Sequence, residues 1–295
     1  MRGTDVGMPA SMTRRFLLAA LAAAGPLALT ASAPPVATST PADAAAPTAA
    51  RKAKSQVQHP PRIHIAGDST AAQKYADVFP ETGWGMALPW YVAPRIEVVN
   101  HAMNGRSSRS FVAEGRLDVI LDAIRPGDVL LVQFGHNDQK SDPDVGTEPW
   151  TTYPSYLRRY LDGARERGAR PVLLTPAERR RFDAAGDVVA THGFYPDAMR
   201  ALAAAEGVPL IDITAQTIAL WQELGLDGSK LSFLHTYEGR EDNTHFNAPG
   251  AGVVARMVAR GLLAAGVLAE DGVRRLDETV PVEWFTWPED PPAAT

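Results

Sequence analysis

Two hydrophobic periods alternate along the chain between about residues 62 and 263. Ile63-His64-Ile65-Ala66 and Val129-Leu130-Leu131-Val132-Gln133-Phe134 are near-continuous apolar runs of strand length, the pattern of strands buried on both faces. Shorter runs at 96–100, 170–175 and 209–213 read as three further strands. Between them lie helix candidates at 87–91, 111–124, 153–167, 196–206 and 215–224, with Ser110 as a cap for the second. A last helix, at 249–263, carries Val253, Val254, Met257, Val258 and Leu262 at helical spacing. Strands alternating with helices in this way predict βαβ units and an α/β fold around one parallel sheet of five strands. Residues 225–241 are expected to form a loop.

The flanks have different patterning. Arg14-Arg15 precedes an Ala/Leu-rich stretch interrupted by Gly25-Pro26, too short and alanine-rich to span a bilayer comfortably. Residues 1–33 therefore read as an export signal of the twin-arginine type, and the mature protein is expected to be secreted, without a membrane span. Ala31-Ser32-Ala33 ends that signal; Pro34 would hinder cleavage there, so Ala42-Asp43-Ala44 is an alternative, and Met12 is an alternative start. Residues 34–61 are mostly Ala, Pro, Thr and Ser and are expected to be a disordered linker, because they bring almost no large apolar side chains to offset ordering entropy. The folded domain is expected at 62–270. A Pro-rich tail at 271–295 carries Trp284, Phe285 and Trp287, which cover either this domain or a neighbouring subunit.

Composition narrows the chemistry. The 295 residues are 45% hydrophobic and 21% charged, enough apolar material for one core. A formal net charge of -5 gives no basic field for a nucleic acid. With no cysteine, thiol nucleophiles, disulfides and thiolate metal sites are excluded, so any nucleophile is an oxygen or a nitrogen.

Gly67-Asp68-Ser69-Thr70 follows the first strand directly and puts a hydroxyl at the carboxyl edge of the sheet, where open α/β sheets bind ligands. Ser69 is thus a candidate nucleophile, although the same residue types make ordinary turns and caps. Asp242 and His245 stand three apart before the last helix; the pair could supply a base and the acid that orients it, or simply a turn that starts the helix. Gly105 and Asn137 follow the second and third strands and could join the Ser69 amide in donating to an oxyanion, or serve as turn and cap. Among His64, His101, His136, His192 and His235 no pair has zinc-helix spacing, so no metal site is read from them.

Four blocks in order, Gly67-Asp68-Ser69-Thr70, Asn104-Gly105-Arg106-Ser107-Ser108, Gly135-His136-Asn137-Asp138 and Asp242-Asn243-Thr244-His245-Phe246, resemble those of the GDSL or SGNH hydrolases. Thr82-Gly83-Trp84-Gly85, Thr175-Pro176, Arg180-Arg181-Phe182 and Thr191-His192-Gly193 before Tyr195-Pro196 are most similar to the rhamnogalacturonan acetylesterase branch. The resemblance runs from about residue 62 to 263. It implies a three-layer, flavodoxin-like fold with helices on both faces of the sheet and no cofactor. It also implies Ser69 as nucleophile, Asp242 and His245 completing a triad, and Ser69, Gly105 and Asn137 forming the oxyanion hole. Thr70 stands where many members of the wider superfamily have leucine, a feature shared with this branch.

The implied activity is removal of acetyl groups from plant cell-wall polysaccharide, most of all rhamnogalacturonan, through an acetyl-serine. Lipases, thioesterases and acetylxylan esterases with the same catalytic residues are alternatives, as is a non-catalytic carbohydrate-binding module. Arg106, Arg109 and Arg179 to Arg181 could pair with uronate carboxylates, or could be a solvated loop in the case of the last three. Trp84, Trp90, Trp150, Tyr153 and Phe246 are candidates either for stacking on sugars or for the core. Trp84, Arg106, His136, His192 and Phe246 are taken as the substrate-binding set.

Overall fold

The computed structural model describes residues 59–236 and 238–289. The expected export signal and all but the last residues of the expected linker lie outside them. Among the described residues no helix is long and apolar enough to cross a membrane.

Five parallel strands form the sheet: β1 (Ile63–Gly67), β2 (Val98–Asn100), β3 (Val129–Gln133), β4 (Arg170–Leu174) and β5 (Leu210–Ile211), in the order β2-β1-β3-β4-β5. Every residue of β1 and β3 is buried, as their unbroken apolar runs predict. Period-two alternation sorts the central strands between two cores. Ile63, Ile65, Val129, Leu131, Val172 and Leu174 face one, and Ala66, Leu130, Val132 and Leu173 the other. Each Val, Leu or Ile side chain so buried contributes about 1.5–3 kcal/mol.

The first core is closed by α1 (Trp84–Tyr91), α6 (Ile213–Gly228) and α7 (Ala248–Ala264), through Leu88, Trp221, Val254, Val258 and Leu262. The second is closed by α2 (Ser108–Ala113), α3 (Arg116–Ala123), α4 (Thr152–Glu166) and α5 (Tyr195–Glu206), through Phe111, Ile120, Tyr160 and Met199. This is the α/β sandwich with helices on both faces.

The structure corrects the expected elements at two places and bears on a third that the sequence left open. The helix predicted at 111–124 is two helices, broken where Gly115 turns left-handed at φ 71°, and its cap is Ser107 rather than Ser110. Ser107 Oγ accepts from Ser110 N–H at 3.0 Å while Ser110 Oγ accepts from Ser107 N–H at 2.9 Å. The loop expected at 225–241 instead holds the end of α6, a short turn of 3₁₀ helix and β6 (Phe233–His235), which pairs antiparallel with β7 (Glu241–Phe246). Finally, the described part of the C-terminal tail is packed against the body. Phe285 is buried, Trp287 Nε1 donates to the Glu81 carbonyl at 2.7 Å, and Ala76 N–H donates to the Pro288 carbonyl at 2.9 Å. The tail aromatics therefore cover their own domain.

Candidate active site

The turn after β1 is built by its aspartate. Asp68 Oδ1 accepts from Thr70 N–H at 2.9 Å and from the Thr70 hydroxyl at 2.7 Å, and the Asp68 carbonyl accepts from the amides of Ala71 and Ala72. A short polar side chain bonding its own backbone two residues on is the chemistry of a tight turn. The Thr70 hydroxyl also lies 3.2 Å from Gln133 Oε1 at the end of β3, which gives threonine a role leucine could not fill. Ser69 is left at the apex. Burial pushes the Asp68 carboxyl up, against the hydrogen bonds from Thr70.

His245 and Asp242 reach that apex from the β6–β7 ribbon, not from a turn at the start of α7. Phe233 pairs with Phe246 and Leu234 with Asp242, so one step along β6 is opposed by four along β7. Residues 243–245 are pushed out of the ladder as a bulge, and the bulge turns His245 back over Asp242. Asp242 Oδ1 secures it by accepting from the amides of Thr244 and His245 at 2.8 and 2.9 Å. The other oxygen, Oδ2, lies 2.8 Å from His245 Nδ1, and His245 Nε2 lies 2.8 Å from Ser69 Oγ. Half-burial raises the Asp242 carboxyl, but hydrogen bonds from His245 and the two amides outweigh it and hold the group well below the usual carboxylate range.

The loops after β2 and β3 close on the same edge. Met103 N–H donates to the Gly67 carbonyl at 3.0 Å, and Asn137 Nδ2 donates to the Arg106 carbonyl at 3.0 Å, leaving that amide a second hydrogen. The amides of Ser69 and Gly105 have no acceptor among the described residues. Gly105 sits at φ 78°, where a side chain would strain the backbone. Beneath Asn137, the Asp138 carboxyl accepts from the Ser108 amide and hydroxyl and the Thr147 hydroxyl; burial pushes it up to about 7.

The expected substrate-binding set is largely used elsewhere. Trp84 is fully buried and donates through Nε1 to Gln133 Oε1 at 2.7 Å. Phe246 packs in the first core against Phe233. His136 and His192 are buried edge to face, with His192 Nε2 3.2 Å from His136 Nδ1 and His192 Nδ1 3.1 Å from Glu178 Oε1. Burial, His192 and Arg179 together push His136 well below the ordinary imidazole value. Arg106 is held by both oxygens of Glu114 at 3.0 Å. Tyr153 is also buried, its hydroxyl donating to the Phe134 carbonyl at 2.8 Å. Trp90 lies under the Arg275 guanidinium, 3.9 Å from its ring centre.

A cleft of about 500 Å³ opens beside Asn243 and is lined by Gln139, Arg179, Arg180, Arg181, Thr191 and Asn243. Arg180 is tied to Ser229, Asn243 and the Leu226 carbonyl, and Arg179 to Thr191 and the His136 carbonyl. Arg181 is exposed and has no ion-pair partner among the described residues. Trp150 and Phe194, both exposed, pair at 6.2 Å. Sequence reasoning passed over Phe194, and also Lys74 and Glu81, a buried ion pair whose residue types normally signal the surface.

Residues 65–253 match the GDSL-like Lipase/Acylhydrolase family. The chain is 42% identical over 223 residues to rhamnogalacturonan acetylesterase RhgT of Bacillus subtilis, covering 73% of this chain and 95% of that one. To the probable rhamnogalacturonan acetylesterase YesY of the same organism it is 44% identical over 206 residues, 70% of this chain and 94% of the other. Among solved structures it is similar to protein YxiM of Bacillus subtilis, at TM-score 0.62 and 28% identity, over 70% of this chain and 57% of that one.

Proposed function

The chain belongs to the GDSL-like lipase/acylhydrolase family, and from that premise we propose that it is an exported acetylesterase acting on plant cell-wall polysaccharide, with rhamnogalacturonan as substrate. It is a carboxylic ester hydrolase. The observation that carries the catalytic reading is the continuous line from Ser69 Oγ through His245 to Asp242, both links at 2.8 Å. In this reading Ser69 Oγ attacks the acetyl carbonyl carbon as its proton passes to His245 Nε2. The amides of Ser69 and Gly105 and the Asn137 side chain donate to the oxyanion. Collapse breaks the ester bond, and the sugar oxygen leaves with the proton from His245. Water then attacks the acetyl-serine, giving its proton to His245, and acetate departs as the serine is reprotonated.

The substrate reading is supported by the names of the two relatives that are more than 40% identical to this chain. It is also supported by the arginine-lined cleft beside the bulge that carries His245, since guanidinium groups suit the carboxylates of a pectic chain. Export rests on Arg14-Arg15 and the apolar stretch after it.

The test is acetate release by the purified protein from acetylated rhamnogalacturonan, acetylated xylan and simple esters, beside a Ser69→Ala variant. Acetylated rhamnogalacturonan should be turned over with the highest kcat/KM, and Ser69→Ala should lose turnover and fluorophosphonate labelling while keeping its melting temperature. Retained turnover in Ser69→Ala removes the serine mechanism. Preference for xylan removes only the substrate.

A further inference from the structure

Lys74 is an unusual residue to find in the interior. Its side chain is 99% shielded from solvent (1% exposed), yet no strand or helix contains it. Burial pushes its ammonium downward, and Glu81 pulls it back. Placing a charged amine there costs desolvation that a purely apolar contact would avoid.

Its contacts lead in two directions. Toward the sheet edge, Lys74 Nζ donates to Asn104 Oδ1 at 2.7 Å. Toward the ribbon, Nζ pairs with Glu81 Oε1 at 2.7 Å, Glu81 Oε2 pairs with Arg240 at 3.0 Å, and Arg240 lies 3.7 Å from Asp242 Oδ2. Glu81 is itself anchored, because its carbonyl accepts from Trp287 and the next amide, Thr82 N–H, donates to the Phe246 carbonyl. One chain of alternating charge thus runs from the loop after β2 to the carboxylate beside His245.

The end at Asn104 matters because of peptide geometry. Asn104 C=O and Gly105 N–H belong to one planar trans peptide and point in opposite directions. The carbonyl is drawn away by Arg106 Nη1 at 2.9 Å, and Arg106 is fixed by Glu114. The Asn104 side chain is held on its other flank by Lys74. Gly105 has the φ freedom to swing this peptide, so something else must fix it.

We infer that Lys74 is a positioning residue: through Asn104 it sets the direction of the Gly105 N–H as an oxyanion donor, and through Glu81 and Arg240 it ties that donor to Asp242. This rests on the reading of Gly105 as part of the oxyanion hole. A purely structural ion pair would stabilise the 74–82 segment and leave the chemical step alone.

Asn104 is exposed, so Asn104→Ala cuts the link while leaving the Lys74–Glu81 pair in place. The measurement is steady-state hydrolysis of p-nitrophenyl acetate by wild type, Asn104→Ala, the double variant Lys74→Met with Glu81→Gln, and the triple combination, with melting temperatures. Loss of a whole oxyanion donor lowers kcat by about 10²–10³-fold, so a misdirected one should lower it by about 10- to 100-fold in Asn104→Ala. KM should stay within about twofold, and the melting temperature should fall only slightly because Glu81 still pairs with Nζ. The triple variant should be no slower than the double, because both cut the same link. A kcat for Asn104→Ala within about twofold of wild type overturns the inference, as do losses that simply multiply in the triple variant. If the double variant fails to fold, Asn104→Ala alone decides. If wild type shows no turnover that depends on Ser69, the esterase reading itself fails and this inference goes with it; active wild type with unaffected Asn104→Ala removes the inference only.

Discussion

In the proposed mechanism Asp242→Asn separates the orienting role of this carboxylate from its role in holding the bulge, because the two oxygens have different partners. Oδ1 accepts from two backbone amides, at 2.8 and 2.9 Å, and Oδ2 faces His245 Nδ1 at 2.8 Å. An asparagine offers one oxygen and one NH₂. With its oxygen on the amides, the NH₂ confronts Nδ1, which must then be the unprotonated nitrogen. The ring proton moves to Nε2, and Nε2–H donates to Ser69 Oγ instead of receiving its proton. Flipping the asparagine restores the useful tautomer but turns the NH₂ onto two backbone donors. Leaving each of those unsatisfied costs about 1–3 kcal/mol, so the productive arrangement lies about 2–6 kcal/mol above the unproductive one. That gap corresponds to a loss of between about 30-fold and about 3 × 10⁴-fold in kcat, before the missing charge is considered. The assay is steady-state hydrolysis of p-nitrophenyl acetate, with urea unfolding to confirm that the fold survives. An Asp242→Asn enzyme within about fivefold of wild type would refute the reasoning, since it would mean that His245 needs no carboxylate to hold its tautomer.

Two further outcomes concern residues away from the reacting atoms. Trp84→Phe should lower stability by about 1–3 kcal/mol, from the lost bond to Gln133 and the space left behind, without changing KM for acetylated polysaccharide; a raised KM with unchanged urea midpoint would return Trp84 to the substrate. Asp128, fully buried, resists the cost of burial through hydrogen bonds from the Arg62 and Arg125 amides and the Arg62 side chain, which hold its carboxyl below the ordinary range. A depressed carboxyl contributes stability that is complete above the ordinary value of about 3.9 and disappears as pH falls through the lower folded-state value. Asp128→Asn should therefore be less stable than wild type at pH 7 in urea unfolding, and the gap should narrow in strong acid; a gap independent of pH would contradict the assignment.

The parallel sheet was legible because its central strands carry their own signature. Continuous apolar runs of strand length, as in β1 and β3, fit strands covered on both faces, and the edge each strand ends on follows from the alternation with helices. The β6–β7 ribbon was hidden for the opposite reason. Asp242 and Asn243 are turn-forming residues and Glu241 is depleted in strands, yet the segment forms a strand as Phe246 packs on Phe233 and the ladder bulges around them. Residue types in the site were legible; their geometry was not. Asp242 and His245 could be picked out by spacing, yet a regular strand would send residues three apart to opposite faces.

The same limit explains why aromatic and basic residues were harder to place than the serine. Trp84 offers the same side chain to a sugar or to a core, and what decides is an acceptor 49 positions away, Gln133. Arg106 follows Gly105 and so looked available to a carboxylate, but both oxygens of Glu114 converge on its Nε and the Asn104 carbonyl takes its Nη1. Lys74 shows the converse. Its type points to the surface, and only the convergence of Asn104 and Glu81 makes a buried ammonium tolerable. In each case what the side chain can do depends on a partner that the hydrophobic pattern does not name. The pattern of the chain therefore identifies which groups can do chemistry, whereas the charges and acceptors brought up from elsewhere decide which of them are free to touch a substrate and which are spent holding the others still.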